Sequence, residues 1–305
     1  KEFFASKDSN FKTDRPYAKK DAAISKYGPA PKNSDYTKAK ATPERTSKTG
    51  KKLISKKSFH HDQDFEEVPE AAMPLNKYLA HAGICGRRDA AALIKSGKVT
   101  LNGVVFTEPG YRVQETDVVM YDQVVVKPVQ DKVYILLNKP KGFITTTDDE
   151  RSRKTVMDLV KNADAGRMYP VGRLDRNTTG LLLMTNDGDL AQKLSHPKNA
   201  VKKIYQAELD KDFKKEDFEK VQAGLTLEDG LIKVDEIAYL ESKRTIGIEI
   251  HSGKNRIVRR IFESLGYVVE KLDRVMYANL TKKNIQRGKW RFLTDKEIIF
   301  LKHFK

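Results

Sequence analysis

The sequence predicts an α+β fold with a mainly antiparallel sheet, and three features of the 305-residue chain lead to this prediction. Strand-like alternation of apolar and polar residues recurs along the second half of the chain. Helical spacing appears between these stretches, without the regular strand-helix-strand order of a parallel sheet. A shorter helical region and an Asn-Gly turn precede them. The length and the 39% hydrophobic content are sufficient for two domains with cores of their own.

The first 72 residues are expected to form a disordered basic tail. Residues 1–60 contain 16 Lys and Arg against 6 Asp and Glu, and they have almost no aliphatic periodicity. The acidic stretch HDQDFEEVPE follows, and apolar periodicity begins at about Met73. The tail is interpreted either as a solvated linker or as an arm that adds sequence-independent affinity for RNA, and both interpretations can hold together.

The overall composition favours a soluble cytoplasmic protein with a polyanionic partner. The formal net charge is +16, and a surface of this kind most often meets nucleic acid. Cys85 is the single cysteine, which excludes an intramolecular disulfide and a thiolate metal cluster. No apolar run reaches the roughly 20 residues of a membrane span, and no apolar signal-peptide core is present. We therefore expect no membrane association.

Residues 73–130 are predicted to form a small domain of two helices and a β-hairpin. Residues 75–82 show helical spacing that stops at Gly83, and residues 90–94 begin a second helix. Asn102-Gly103 between two apolar runs is a hairpin turn signal. An ordinary solvated face is one interpretation of the basic residues here, and RNA binding is the other. The predicted RNA-binding residues of this domain are Arg87, Arg88, Lys95 and Lys98.

Residues 131–305 are predicted to form the larger domain. Residues 133–137 are typical of a buried strand, which ends in an exposed basic Lys-Pro-Lys-Gly turn, and a Thr-rich second strand is expected after it. A short helix at TVMDLV, a strand at GLLLMTN and a helix at LAQKLSHP follow. The stretches KIYQAEL, LIKVDEIAYLE and RTIGIEI alternate like antiparallel strands, and NRIVRRIFESLG has helical spacing up to Gly266.

One carboxylate of the larger domain, Asp175, is a candidate for chemistry. It lies between Arg173 and Arg176, ahead of the apolar run of a predicted buried strand. A carboxylate in this place is costly unless it is paired, so it belongs to a structural ion pair or takes part in chemistry. The sequence has no glycine-rich phosphate loop, no G-x-S-x-G and no histidines at zinc-ligand spacing in the expected folded region. We therefore expect neither ATP, NAD nor a metal ion.

The stretch GRLDRNTTGLLLMTNDG resembles the pseudouridine synthases, in particular the RsuA/RluB-type family that joins an S4-like RNA-binding domain to the catalytic domain. Four further marks of that family are present in this chain, in the order that the family has them: NKPKGFITTT, KKIYQAEL, SGKNRIVRRIF and VEKLDRVMYANL. Residues 74–126 resemble the S4-like domain through AGICGRR, IKSGKV and LNG. Gly86 departs from the serine that usually caps the second helix there, at a cost of about 1 kcal/mol.

The resemblance implies specific roles for four residues. Asp175 is the catalytic aspartate, Tyr205 lies against the target base, Arg259 pairs with the aspartate, and Leu272 closes the pocket. No cofactor is implied. The alternative interpretations are a structural turn residue for Asp175 and core residues for Tyr205 and Leu272. Predicted RNA contacts of this domain are Lys139, Lys141, Arg173, Arg176, Asn255 and Arg256.

A single carboxylate is sufficient for the reaction that the resemblance implies. Uridine becomes pseudouridine when the N1–C1′ bond breaks, the uracil turns and C5 joins C1′, so nothing is added or lost. The aspartate either attacks C1′ or removes the 2′ proton, and both routes need its ionised form, which an adjacent arginine favours. The target nucleotide must first leave its helix, at a cost of a few kcal/mol, and an aromatic or apolar surface must receive it.

The implied function is that of a ribosomal RNA pseudouridine synthase. The large-subunit 23S RNA is favoured because NRIVRRIFESLGY and GRLDRNTTGLLLMTNDG look most like the RluB-type branch. The alternatives are a 16S small-subunit synthase and a non-catalytic RNA-binding ribosome-assembly factor. The complete set of Asp175, Tyr205 and Arg259 favours the enzyme. The expected partner is ribosomal RNA, free or in a subunit assembly intermediate, and the protein is expected to be a monomer.

Overall fold

The computed structural model describes residues 72–163 and 165–304. The predicted disordered tail, apart from its last residue, lies outside this described part. Within it the chain has seven α-helices and fifteen strands, which confirms the predicted α+β class. None of the helices in these two ranges has the length and apolarity needed to cross a membrane.

The N-terminal part of the described chain is a unit of two helices and a four-stranded antiparallel sheet. Its helices are α1 (Leu75–His81) and α2 (Arg87–Lys95), and its strands are β1 (Val99–Leu101), β2 (Val104–Val105), β3 (Val119–Tyr121) and β4 (Val124–Val125). The strand order is β2-β1-β3-β4. Asn102 and Gly103 both adopt positive φ between β1 and β2, which confirms the predicted tight hairpin. Gly86 caps α2 without a side-chain hydrogen bond.

The remaining strands form a nine-stranded sheet and one separate hairpin. In chain order they are β5 (Tyr134–Lys139), β6 (Tyr169–Pro170), β7 (Thr179–Thr185), β8 (Lys203–Leu209), β9 (Leu225–Leu227), β10 (Gly230–Ile232), β11 (Glu236–Tyr239), β12 (Thr245–Ile250), β13 (Val269–Tyr277), β14 (Leu280–Thr281) and β15 (Trp290–Phe292). The main order is β11-β12-β8-β13-β7-β5-β15, with β6 beside β7 and β14 beside β13, while β9 and β10 form the hairpin. Every pairing in the large sheet is antiparallel except that of β13 with β7.

Helices pack on both faces of the large sheet. They are α3 (Val156–Leu159), α4 (Gly188–Ser195), α5 (Lys215–Ala223), α6 (Ile257–Glu263) and α7 (Asp295–Lys302). Residues from α3, α5 and α6 contribute to one core, and residues from α4 and α7 contribute to the other. Alternate residues of β5 and β7 enter opposite cores, for example Leu182 and Leu183. A strand buried on both faces has an almost continuous apolar sequence, as these two strands do.

The parallel junction of β7 and β13 brings two distant motifs together. Gly180 lies opposite Arg274 in the register. A Cβ on Gly180 would lie 2.3 Å from the backbone oxygen of Arg274, and the φ angle of Gly180 is +106°, so this position requires glycine. The close approach places Asp175, which precedes β7, near Leu272 on β13.

The predicted Thr-rich strand after Gly142 is wrong. Ile144 makes one isolated bridge with Thr155, and no strand of the described residues includes it. The hydroxyl of Thr145 donates to the Leu174 oxygen at 2.7 Å and accepts from the Leu174 N–H at 3.2 Å. Threonine hydroxyls that bond to the backbone compete with strand pairing, which accounts for the difference. The predicted strand LIKVDEIAYLE is divided into β10 and β11.

Candidate active site

A cavity of about 220 Å³ lies between β8, β13, the segment that precedes β7 and the start of α6. Asp175, Tyr205 and Leu272 all line this cavity. Residues far apart in the sequence therefore meet at one place, which was predicted only from their resemblance to a family. The fourth predicted catalytic residue, Arg259, is not among the residues that line it.

Asp175 sits on a turn that a buried lysine holds in place. The carboxylate is 40% exposed, and the Thr178 N–H donates to the Asp175 backbone oxygen at 3.0 Å. The Lys139 ammonium donates to the backbone oxygens of Asp175 at 3.0 Å and Thr178 at 2.8 Å. Burial lowers the pKa of Lys139 to about 8, against the attraction of Asp175, which acts to raise it.

The prediction that Lys139 contacts RNA is therefore wrong. Its side chain has no exposed surface. Lys139 ends β5, whose residues are buried on both faces, so the side chain turns toward the Asp175 turn and not toward solvent. Lys141, two residues later, is exposed, as the predicted basic turn requires.

The arginine that pairs with Asp175 is Arg256, not the predicted Arg259. Arg256 Nη1 lies 3.5 Å from Asp175 Oδ2. Arg256 precedes α6 with a φ of +47°, a conformation that is uncommon for residues with a side chain and often occurs at functional sites.

Arg259 lies within α6 and is buried. Its Nη1 donates to the Val269 backbone oxygen at 2.5 Å, and its Nε is buried without a hydrogen-bond partner. Burial lowers the pKa of Arg259, and Arg256 acts in the same direction, whereas Asp175 acts to raise it. Helix α6 directs Arg259 toward β13, while Arg256 remains at the cavity. Arg256 therefore makes the contact with Asp175 that was predicted for Arg259.

Tyr205 and Leu272 lie at the boundary between the cavity and the core. Tyr205 on β8 is 9% exposed and Leu272 on β13 is 6% exposed. Both pack in the same hydrophobic core while they line the cavity. They present an aromatic and an apolar surface beside Asp175, which is the kind of surface that an unstacked base needs.

The other residues predicted to bind RNA are exposed. They are Arg87, Arg88, Lys95, Lys98, Lys141, Arg173, Arg176, Asn255 and Arg256. Arg173 also lines the cavity. Arg176 directs its Nε toward the Gly142 backbone oxygen at 3.4 Å, so its side chain lies along the neighbouring turn.

Sequence reasoning missed three cationic residues of the cavity, Arg274, Lys203 and Lys254. Arg274 follows Leu272 by two residues on one strand, and this spacing puts both side chains on one face of the sheet. That spacing was the available signal. Lys203 gave none, because a lysine at the start of a strand is usually solvated.

A further missed residue, Asp273, is a partly buried carboxylate on β13 with three partners. It accepts hydrogen bonds from Thr179 Oγ1 at 2.6 Å and Arg287 Nη1 at 2.7 Å, and it pairs with Lys282. Burial acts to raise the pKa of Asp273, but its hydrogen bonds and the positive charges outweigh burial and bring the pKa to about 2. The contact with Thr179 ties β13 to the first residue of β7, next to the cavity.

The Asp273 network is expected to make stability depend on acid. The pKa of Asp273 is lowered from 3.8 to about 2 on folding, so its stabilisation is complete above pH 4 and is lost as the pH falls toward 2. The free energy of unfolding of Asp273→Asn should therefore fall less between pH 6 and pH 2.5 than that of the wild type, by about 2 kcal/mol. Urea unfolding at both pH values measures this difference. Asp212→Asn, at an exposed ion pair, is the control that should behave like the wild type.

The site shows no arrangement for a metal ion. Among residues 72–163 and 165–304, no three His, Cys, Asp or Glu side chains come together in a way that could hold one. Asp175 is the one acidic residue among those that line the cavity, beside five Lys and Arg. The arrangement suits a ligand with negative or strongly electronegative groups.

Comparison with known proteins identifies both parts of the chain. Residues 133–264 match the RNA pseudouridylate synthase family, and residues 73–119 match the S4 domain family. The chain is 43% identical over 229 residues to the ribosomal large subunit pseudouridine synthase B of Bacillus subtilis. The aligned region covers 73% of this chain and 93% of that protein. It is 36% identical over 236 residues to the dual-specificity RNA pseudouridine synthase RluF of Escherichia coli K12, covering 77% of this chain and 80% of that one. A crystal structure of a pseudouridylate synthase matches with a TM-score of 0.56 and 26% identity, over 75% of this chain and 99% of the other.

Proposed function

The chain belongs to the RNA pseudouridylate synthase family, and on this premise we propose that it isomerises one uridine of large-subunit ribosomal RNA to pseudouridine at the Asp175 cavity. The observation that carries the proposal is the meeting of Asp175, Tyr205 and Leu272 in one cavity. The large-subunit substrate is supported by the Bacillus subtilis relative, which is named for that subunit.

In the proposed mechanism, Asp175 acts at the ribose of the flipped-out uridine. Its carboxylate attacks C1′ or takes the 2′ proton, and Arg256 Nη1 lies 3.5 Å from Asp175 Oδ2. Tyr205 and Leu272 contact the uracil, which stays in the cavity after the N1–C1′ bond breaks. The base then turns and C5 joins C1′. Lys139 fixes the backbone of the Asp175 turn, so that the carboxylate is held in one place before the RNA binds.

RNA docking is assigned to the basic surface of an S4-like domain at residues 73–130, and catalysis to a domain at residues 131–305. Arg87, Arg88 and Lys95 are exposed on α2, and Lys98 is exposed just before β1. We further infer a cytoplasmic monomer whose substrate is the free RNA or a ribosomal subunit assembly intermediate. Contacts of these cations with phosphates would add affinity that decreases with salt.

Removal of both Arg87 and Arg88 is expected to weaken RNA binding and to make the affinity for RNA depend less on salt. If both arginines contact phosphates, the double glutamine variant should reduce the magnitude of the slope of log K against log salt by about 1.4 to 1.8, since each neutralised phosphate contributes about 0.7 to 0.9. Filter binding of a large-subunit RNA fragment at several salt concentrations measures the slope. The matched control removes two exposed charges elsewhere, Lys243 and Lys296. An unchanged slope in the Arg87 and Arg88 variant would exclude this surface as the docking site.

The proposed function is tested by carbodiimide mapping of pseudouridines in both ribosomal RNAs. The RNAs come from a strain deleted for the gene, complemented with the wild type or with Asp175→Asn. We expect one large-subunit pseudouridine to disappear on deletion and to return only with the wild type. A missing small-subunit position would reassign the substrate, and persistence of every position would contradict the proposed function in that strain.

A further inference from the structure

The Arg274 guanidinium is buried in the cavity wall without an acidic partner. The residue is 2% exposed, and its Nε donates to the Leu181 backbone oxygen at 2.7 Å. The guanidinium lies 4.6 Å from the centre of the Tyr277 ring, and its Nη2 is buried with no hydrogen-bond partner. No carboxylate among the described residues forms an ion pair with it. A buried charge with unused donors is costly, which indicates that a ligand supplies the missing acceptor.

A second cation, the half-buried Lys203, lines the same cavity. The Lys203 ammonium donates to the backbone oxygens of Val201 at 2.8 Å and His251 at 2.9 Å. Burial and the neighbouring Arg274 lower the pKa of Lys203 to about 8, while Asp235 acts to raise it. The two positive charges therefore repel one another across a wall that has no carboxylate paired with either. This part of the cavity favours an electronegative group.

The position of Arg274 indicates which group of the RNA it meets. Arg274 lies directly opposite Tyr205 in the β8–β13 register, and Leu272 precedes it by two residues. Tyr205 and Leu272 form the surface proposed to receive the base. A phosphate of the RNA backbone would be expected at the exposed arginines of the rim, such as Arg173 and Arg256, rather than at a buried guanidinium.

The reaction produces negative charge on the base. In either route for the aspartate, the electron pair of the N1–C1′ bond leaves with the uracil, and its charge spreads over N1, O2 and O4. The C5–C1′ bond then forms as the bond between Asp175 and C1′ breaks or, in the other route, as the carboxyl group returns the 2′ proton to C2′. The proton on C5 is lost and N1 takes up a proton, so that atoms and charge balance. Donors already oriented toward the place where charge develops stabilise it more in the transition state than in the ground state.

We propose that Arg274 is a catalytic residue, which donates to a carbonyl oxygen of the target uracil and stabilises the negative charge on the base as the N1–C1′ bond breaks. The proposal rests on the proposed function of the Asp175 cavity. It assigns the stabilisation of the departing uracil to Arg274. Arg256 has a different role, because it pairs with Asp175.

The test compares two leaving groups. Large-subunit RNA fragments are transcribed with uridine or with 5-fluorouridine, whose fluorine withdraws electrons and stabilises the base anion. The readout is breakage of the N1–C1′ bond of the target nucleotide in a single turnover with excess enzyme, followed by chromatography of the digested nucleosides. This step does not need the fluorine to leave.

For Arg274→Gln we expect the single-turnover rate on uridine RNA to fall about 100-fold or more, as for loss of one donor to a developing anion. The loss on 5-fluorouridine RNA should be about tenfold smaller, because that base needs less stabilisation. Affinity for RNA should stay near the wild-type value. Arg291→Gln, at an arginine that pairs with Glu297 at the edge strand β15, is the matched control and should keep wild-type rates on both RNAs.

Equal losses on both RNAs, or a salt-dependent loss of affinity that accounts for the slower rate, would overturn the proposal and assign Arg274 to packing or to a phosphate. Thermal unfolding monitors the fold of each variant. Arg274→Lys keeps the charge and carries the same comparison if the glutamine variant does not fold. Asp175→Asn, assayed in parallel, tests the proposed function separately. An active Asp175→Asn enzyme would reject that function, whereas equal losses in the Arg274 variants reject only the role of Arg274.

Discussion

Replacement of Asp175 by asparagine is expected to reduce pseudouridine formation by about 10⁴-fold or more, as removal of a central catalytic group does. Asparagine has nearly the shape of aspartate, so the turn held by Lys139 and the cavity wall should persist. The neutral amide can neither act as a carboxylate nucleophile nor accept the 2′ proton. Single-turnover assays on a large-subunit RNA fragment measure the loss of rate, and filter binding measures the affinity, which should stay within about threefold of the wild type.

The control for Asp175→Asn is Asp212→Asn, which makes the same chemical change at an exposed ion pair with Arg244. It should retain wild-type turnover. An Asp175→Asn enzyme with more than a few per cent of wild-type turnover would remove the catalytic assignment, and weak binding without a defect in rate would make Asp175 an RNA contact.

The fold could be predicted where local pattern and tertiary environment agree. The apolar runs of β5 and β7 indicated buried strands, and both strands are covered on both faces. The Asn102-Gly103 pair indicated the hairpin because asparagine and glycine adopt the two consecutive positive φ angles of a tight hairpin turn more readily than other residues. The strand predicted at the Thr-rich segment was wrong because local pattern and tertiary environment disagree there. Its β propensity is real, but Thr145 bonds to Leu174, which is distant in the sequence.

The candidate site could be predicted in its main residues and not in its pairings. Resemblance to a family identified Asp175, Tyr205 and Leu272, which do line one cavity. The partner of Asp175 depends on where α6 begins. Arg256 lies just before the helix and at the cavity, whereas Arg259 lies within the helix and is buried in the core. Sequence pattern does not fix helix boundaries to this accuracy.

Lys139 illustrates the same limit for a charged side chain. From the sequence it belongs to an exposed basic turn, since buried lysines are rare. In the structure its ammonium has backbone oxygens as acceptors, and these become available only when the Asp175 turn packs against the end of β5. The lysine is thus part of the fold of the site, and its removal has consequences for stability and for rate together.

Lys139→Met is expected to lower the free energy of unfolding by about 3 kcal/mol, because methionine fills similar volume but leaves the buried oxygens of Asp175 and Thr178 without their donor. The turn that carries the carboxylate then loses its anchor, and a displacement of about 1 Å costs on the order of 100-fold in rate. Urea unfolding measures the first effect. Single-turnover assays under conditions where the variant is fully folded measure the second.

The neighbouring Lys141→Met is the matched control, because it makes the same substitution at an exposed position of the same turn. It should leave the free energy of unfolding unchanged and should alter only RNA affinity. If Lys139→Met instead weakened RNA binding with normal stability and rate, the ammonium would face the substrate after all. If it lost stability but kept the wild-type rate when folded, the anchor would serve the core alone, and the position of Asp175 would be fixed by Arg256 and the Thr178 hydrogen bond.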